Sequence, residues 1–177
     1  MASLFDPFVA EMQQEAAATR RILESVPNDK LEWQPHEKSM PLGKLARHVA
    51  TIPGDMPKLF EPDAIDVSQI ESATTVESAA ELLPLLEESL ETGAKILTGM
   101  TDDKANGVWK MTAGDQTVME VPRVTVMRSF VLNHWYHHRA QLGVYLRLLD
   151  IPVPSVYGPT ADDNPMAEMI EGAAADA

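Results

Sequence analysis

The chain of 177 residues contains no cysteine. Disulfide bonds, thiolate metal ligands and a cysteine nucleophile are therefore excluded, and a metal site would have to use histidine, carboxylate or backbone oxygen ligands. Positive charge is also scarce, because 14 Lys and Arg residues stand against 27 Asp and Glu residues, a net charge of −13. A surface of this sign repels phosphate backbones, so we expect no nucleic-acid partner.

Long apolar runs are missing as well. No stretch approaches the roughly 18–20 apolar residues that a membrane span needs. The first seven residues, MASLFDP, have neither the basic nor the apolar segment of an export signal. Internal repeats and glycine-rich phosphate loops are also lacking. We therefore expect a cytoplasmic protein without membrane association, built as one domain around a single core.

Apolar residues recur at steps of three and four in four segments, 4–26, 42–52, 76–97 and 124–149. This spacing predicts four amphipathic helices. Pro53 and Gly54 are expected to interrupt or bend the second helix, and Pro57 to confine any continuation to short pieces. Pro84 predicts either a kink in the third helix or a start later than Val76. The acidic, polar segment 61–75 has no sustained period and is predicted to be a crossover loop.

Two short β-prone runs, 108–112 and 116–121, flank a turn that contains Gly114. They predict a small two-stranded hairpin before the last long helix. Four helices, one crossover and a hairpin together predict an all-α four-helix bundle over residues 1–165. The acidic, alanine-rich segment 166–177 is expected to be a flexible tail or a weak terminal helix.

Histidine is the most informative residue type in the chain. His134 and His138 are four residues apart in a predicted helix, so their imidazoles share one face and can reach one metal ion. This face of the helix is apolar and is predicted to point to the bundle interior. His48 has a similar apolar setting on the second helix. Three inward-facing histidines predict a three-ligand metal site with an open coordination position, which is typical of catalytic zinc.

Two other interpretations of these histidines stay open at this point. Pairs of this spacing also occur as hydrogen-bonded core or surface residues without a metal. His137 competes for the ligand role because it is three residues from His134, although it lies toward the edge of the apolar face.

The segments around these histidines resemble the DinB/YfiT-like family. The similarity in the N-terminal half lies in residues 23–27, 33–40 and 42–50. In the C-terminal half, residues 133–142 are similar to the family pattern H-x-x-x-H-R-G-Q, and residues 153–159 to the segment that follows it. Ala140 stands where the family usually has glycine. The resemblance covers residues 4–165.

The resemblance implies an up-down-down-up four-helix bundle that is often dimeric, with a divalent metal ion bound by His48, His134 and His138. We expect Zn²⁺ or Ni²⁺, since imidazoles suit both ions. Family members include thiol transferases and a thiol-dependent isomerase. The resemblance therefore implies a metal-dependent transferase that activates a low-molecular-weight thiol toward a small-molecule substrate. The thiol must be a separate cofactor because the chain has no cysteine.

Five further residues are candidates for supporting the metal ligands or contacting the substrate. They are His137, Arg139, Gln141, Tyr136 and His36. For each of them, packing, an ion pair or a solvent-exposed position is the competing interpretation. No residue is singled out as catalytic.

Two alternative functions remain. The first is a metal-dependent hydrolase that uses metal-bound water, which would need a general base. No glutamate lies within one helical turn of His134 or His138, which counts against this alternative. The second is a non-catalytic metal-binding stress protein, although a structural site normally has a fourth protein ligand and the sequence shows no obvious one.

Overall fold

The computed structural model describes residues 3–70 and 74–167. Its helices are α1 Asp6–Glu24, α2 Leu42–Leu59, α3 Leu82–Gly99, α4 Asp102–Asn106, α5 Arg123–Met127 and α6 His134–Leu148. A π-helical turn, Arg128–Asn133, joins α5 to α6, and 3-10 turns occupy Asn28–Lys30, Val67–Gln69 and Ala79–Glu81. The strands are β1 Ala64–Asp66, β2 Val108–Ala113 and β3 Gln116–Pro122.

The long helices form the body of the molecule. α2 packs against α3 and α6, and α1 packs against α2, α3 and α6. The predicted mostly helical fold is confirmed, while the up-down-down-up order and the domain boundary at residue 165 stay predictions. Residues 168–177, most of the expected tail, lie outside the described residues. Within the described ranges, no helix is both long and apolar enough to cross a bilayer.

The sheet has three strands instead of the two predicted. The hairpin is confirmed, with β2 and β3 antiparallel and Gly114 at φ 57° in the turn. The prediction of a plain loop over residues 61–75 was wrong, because β1 lies there and pairs in parallel with β2; residues 71–73 are outside the described residues. Three residues are too few to show the alternating pattern of a strand. The buried Arg123 side chain helps to hold β1 in place by donating to the carbonyls of Phe60 and Pro62.

α2 continues through its prolines, so the predicted interruption was wrong, while the alternative of a bend stays a prediction. Pro53 has no N–H, and the carbonyl of Val49, four residues earlier, instead accepts from the indole N–H of Trp135 at 2.8 Å. On the facing helix α3, the Ser89 hydroxyl accepts from the backbone N–H that follows Pro53, at 2.8 Å. The same hydroxyl donates to the carbonyl of Thr51 at 2.9 Å. Side chains of neighbouring helices thus replace backbone hydrogen bonds that α2 lacks around Pro53.

The third helix starts later than Val76, as Pro84 indicated. A capping box between Ser78 and Glu81 opens the 3-10 turn that precedes α3. Pro84 then falls in the first turn of α3, where its missing N–H has no helical partner to lose. Further along α3, a Cβ at Gly93 would lie 2.0 Å from the carbonyl oxygen of Pro53, so glycine permits the close approach of α2 and α3.

Candidate metal centre

Three histidines from two helices meet at one point. His48 lies on α2, and His134 and His138 lie on α6. The Nε2 atoms of His48 and His134 are 3.3 Å apart, and the ring centroids of His138 lie 4.6 Å from those of both other rings. One ring nitrogen from each histidine falls within 4.8 Å of the others. Three ligand atoms at this separation can surround a single metal ion.

A hydrogen bond beside the histidines fixes the relative position of the two helices. Trp135 is fully buried, and its indole N–H donates to the carbonyl of Val49. These residues directly follow His134 and His48 in the sequence. The bond therefore holds α2 and α6 in the register that brings His48 opposite His134.

The fully buried face of α6 differs from the predicted apolar face. It contains Trp135, Arg139, Leu142 and Leu146. His134 and His138 are half-buried at the edge of that face, as His48 is on α2. The prediction that they face the interior was therefore only partly right. Half-burial leaves the group partly shielded from water and still open to solutes.

Burial keeps these imidazoles neutral. Burial and, to a smaller extent, the neighbouring His138 and His134 together lower the pKa of His48 from 6.5 to about 4. Burial likewise lowers the pKa of His134 and of His138. At neutral pH all three rings therefore carry a lone pair, which is the form that coordinates a metal. This donor set fits a divalent ion such as Zn²⁺ or Ni²⁺.

The Nδ1 atoms of the two α6 histidines have oxygen partners. His138 Nδ1 lies 2.7 Å from the amide oxygen of Gln141. His134 Nδ1 lies 3.3 Å from the carbonyl oxygen of Phe130. An oxygen acceptor at Nδ1 keeps the ring proton there and leaves the lone pair on Nε2. The structure thus places Gln141, one of the predicted supporting residues, directly against a histidine of the group.

His137 and His36 are both exposed. The His137 ring lies beside His138, with centroids 4.9 Å apart. His36 lies in the loop before α2, where its Nδ1 accepts from the backbone N–H of Lys38 at 3.1 Å. The roles expected for these two histidines in the site stay predictions.

Arg139 and Tyr136 face helix α1 instead of the histidine group. The Arg139 side chain is 2% exposed and pairs with the Glu15 carboxylate at 2.6 Å. It also donates to the hydroxyl of Tyr157 at 2.6 Å, and that hydroxyl donates to Glu15 at 2.8 Å. The Tyr136 hydroxyl donates to Glu11 of α1 at 2.9 Å. Glu15 and Tyr157 were missed from the sequence, because Glu15 lies 124 residues from Arg139 and 142 residues from Tyr157, and no local pattern signals such pairings.

An apolar cleft of about 350 Å³ lies on the same side of α6 as Arg139. It is formed between the outer face of the helix and residues 153–160, and Tyr136, Gly143 and Val144 contribute to its wall. At about 100° per residue, Tyr136 and Gly143 lie across the helix from His134 and His138. The cleft is therefore separate from the candidate metal centre.

Comparisons with known proteins agree with the sequence resemblance. A family model described as "DinB family" matches residues 1–169. The "Uncharacterized protein YrdA" of Bacillus subtilis is 24% identical over 174 residues, which cover 92% of this chain and 93% of the relative. A solved DinB-like protein from Bacillus cereus has a TM-score of 0.64 at 18% identity, covering 89% of this chain and 100% of its own. The DinB-like protein YjoA from Bacillus subtilis has a TM-score of 0.63 at 19% identity, covering 91% and 100%.

Proposed function

Because the chain belongs to the DinB family, we propose that its histidine group binds one divalent metal ion, Zn²⁺ or Ni²⁺, in an enzyme that activates a low-molecular-weight thiol. The main support for the metal site is that His48, His134 and His138 lie together, with ring nitrogens within 4.8 Å of one another. Their lowered pKa values support metal binding at neutral pH, since no proton has to be displaced from the coordinating nitrogens.

Three protein ligands leave room for a ligand from solution. Within the described residues, the group has three members and no carboxylate among them. This number suits a catalytic centre, in which a fourth position receives water or substrate. A metal ion bound there lowers the pKa of a coordinated thiol or water.

The thiol comes from outside the chain, because the chain has no cysteine. In the proposed reaction, the thiol sulfur forms a bond to an electrophilic carbon of a small molecule. The bond to the leaving group breaks and the leaving group keeps the electron pair, while the thiol proton passes to solvent. The half-buried position of His48, His134 and His138 leaves the group accessible to such small molecules. His137 and His36 are the exposed candidates for substrate contacts. Cytoplasmic location and a homodimer stay predictions.

Cobalt substitution tests the thiol step separately from metal binding. Co²⁺ bound by His48, His134 and His138 gives d–d absorption bands, and a thiol that enters the open position shifts and intensifies them. We expect this change with at least one low-molecular-weight thiol and no bands in the His48→Ala variant. Bands that several thiols leave unchanged would contradict thiol activation, and hydrolysis of small esters or a non-catalytic role would then be tested.

A further inference from the structure

We propose that the π-helical turn Arg128–Asn133 and the side chain of Gln141 are positioning elements that set the ring tautomers of His134 and His138, so that both rings present Nε2 to a metal ion. The inferred role of these elements rests on the proposed metal site. The tautomers themselves can be measured without a metal.

The π turn supplies the acceptor for His134. The backbone N–H of His134 donates to the carbonyls of Ser129 and Val131. In an α-helix it would donate to Phe130, four residues earlier. The Phe130 carbonyl instead lies 3.3 Å from Nδ1 of the His134 ring. The turn therefore redirects one backbone carbonyl from the helix to the imidazole, in keeping with the frequent occurrence of π turns at functional sites.

Gln141 supplies the second acceptor from one turn further along α6. It lies three residues after His138, and residues at this spacing are neighbours on a helix surface. Its amide oxygen is 2.7 Å from Nδ1 of His138, a short hydrogen bond. Both α6 histidines thus have an oxygen at Nδ1, one from the backbone and one from a side chain. Outer partners of this kind fix the orientation of metal-binding histidines.

The two acceptors also determine what can occupy the space between the helices. With its proton on Nδ1, His134 has a lone pair on Nε2, and that atom lies 3.3 Å from Nε2 of His48. Two lone pairs at this distance repel each other. Either His48 donates a proton into the contact or a cation lies between the rings, and a metal ion satisfies His138 as well.

Two Gln141 variants separate hydrogen bonding from packing. Gln141→Met keeps the length of the side chain and removes the acceptor, whereas Gln141→Glu keeps an acceptor. Two-bond ¹H–¹⁵N spectra of the metal-free protein report which ring nitrogen carries the proton. We expect the Nδ1–H tautomer for His138 in the parent and in Gln141→Glu, and a shift toward Nε2–H in Gln141→Met. Zinc affinity should fall about tenfold in Gln141→Met and be retained in Gln141→Glu.

Deletion of Ser129 tests the π turn. A π turn holds one residue more than the matching α-helical turn, and Ser129 is exposed, so its removal allows a continuous α-helix with the flanking segments in phase. The His134 N–H would then occupy the Phe130 carbonyl. We expect loss of the pure Nδ1–H tautomer of His134 and about tenfold weaker zinc binding, with Ser129→Ala behaving like the parent.

The two proposals fail in distinguishable ways. Unchanged His138 tautomers in Gln141→Met, or an unchanged His134 tautomer in a folded Ser129 deletion, would overturn the positioning role even if the parent binds zinc. If the deletion does not fold, the Gln141 pair decides the claim alone. A parent that binds no zinc while showing both Nδ1–H tautomers would overturn the metal site and leave the tautomer assignment standing.

Discussion

Two polar clusters lie on different sides of helix α6, and their hydrogen-bonding groups are satisfied in different ways. On one side, the Arg139 guanidinium is matched by the carboxylate of Glu15 and by two hydroxyls, from Thr19 and Tyr157. On the other side, three imidazoles bring one ring nitrogen each within 4.8 Å of the others, and those of His48 and His134 are 3.3 Å apart. The first cluster pairs a cation with an anion, whereas the second brings together three neutral imidazoles whose ring nitrogens carry lone pairs.

The Arg139 cluster has the features of a group that stabilises the fold, and the histidine group those of a binding site. A buried cation paired with a carboxylate and two hydroxyls needs nothing from solution, and it joins α6 to α1 and to Tyr157 of the segment that follows α6. The contact between His48 and His134 is satisfied either by the ring proton of His48 or by a cation, whereas a metal cation would satisfy all three rings. Removal of the Arg139 cluster should therefore lower the free energy of unfolding, and removal of the histidine group should abolish metal binding.

The largest expected effect is on stability, in Arg139→Met. The substitution leaves the nearly buried carboxylate of Glu15 without its cation, and such a change costs about 3–5 kcal/mol. Urea denaturation of the metal-free protein measures it. Arg147→Met is the matched control on the same helix, because Arg147 forms an exposed pair with Asp162 and exposed ion pairs contribute little to stability. Equal losses in the two variants would contradict the role of the Arg139 cluster.

The next effect is on metal affinity, in His138→Ala. Removal of one of three ligands should weaken zinc binding at least about 100-fold, because two imidazoles make an incomplete site. Calorimetric titration with Zn²⁺ measures the loss, and unfolding curves show that the fold persists. His137→Ala is the matched control, since it removes the adjacent, exposed histidine. A His138→Ala variant that binds zinc like His137→Ala would contradict the proposed ligand set.

The third effect is a pH dependence that only the histidine group should cause. The pKa of His48 is about 4 in the folded chain and 6.5 when unperturbed, so the unfolded chain binds more protons between these values. The free energy of unfolding of the metal-free protein should therefore fall as pH drops from 7 to 5. We expect His48 to account for about 1–2 kcal/mol of this fall. His48→Gln should flatten the profile, and an equally steep profile in that variant would rule out His48 as its source.

The smallest effect is expected in Tyr157→Phe. The hydroxyl of Tyr157 connects Arg139 and Glu15, although the residue is 69% exposed. Its removal should cost about 1 kcal/mol, the usual contribution of one hydrogen bond. Thermal or urea unfolding detects such a change, and zinc stoichiometry should be the same as in the parent. Altered zinc binding would mean that the two sides of α6 are not independent.

The features of the fold that were predictable are those with a local pattern. Periodic apolar residues indicated α1 and α3, and the position of Pro84 indicated the later start of α3. The course of α2 was not predictable, because the partners that compensate for Pro53, namely Trp135 and Ser89, come from other helices. The strand β1 is too short for a pattern, and the π turn has no sequence signal comparable to a proline or glycine.

The candidate site likewise has a part that the local sequence predicted and a part that it did not. The spacing of His134 and His138 predicted a shared face, and the apolar setting of His48 predicted that it would join them. Helical periodicity places Arg139, the residue next to His138, on a different side of the helix, but it did not predict which residue Arg139 would pair with. That outcome depends on Glu15 of α1, and a pairing between residues 124 positions apart leaves no trace in either local sequence.

The metal content per chain shows whether His48, His134 and His138 form a metal site. The untagged protein and its His48→Ala variant would be incubated with Zn²⁺ and with Ni²⁺, freed of excess metal and measured by elemental analysis. We expect one metal ion per chain in the parent and none in His48→Ala, since all three imidazoles are needed to hold the ion. A parent without metal, or a variant that retains the full amount, would contradict this expectation.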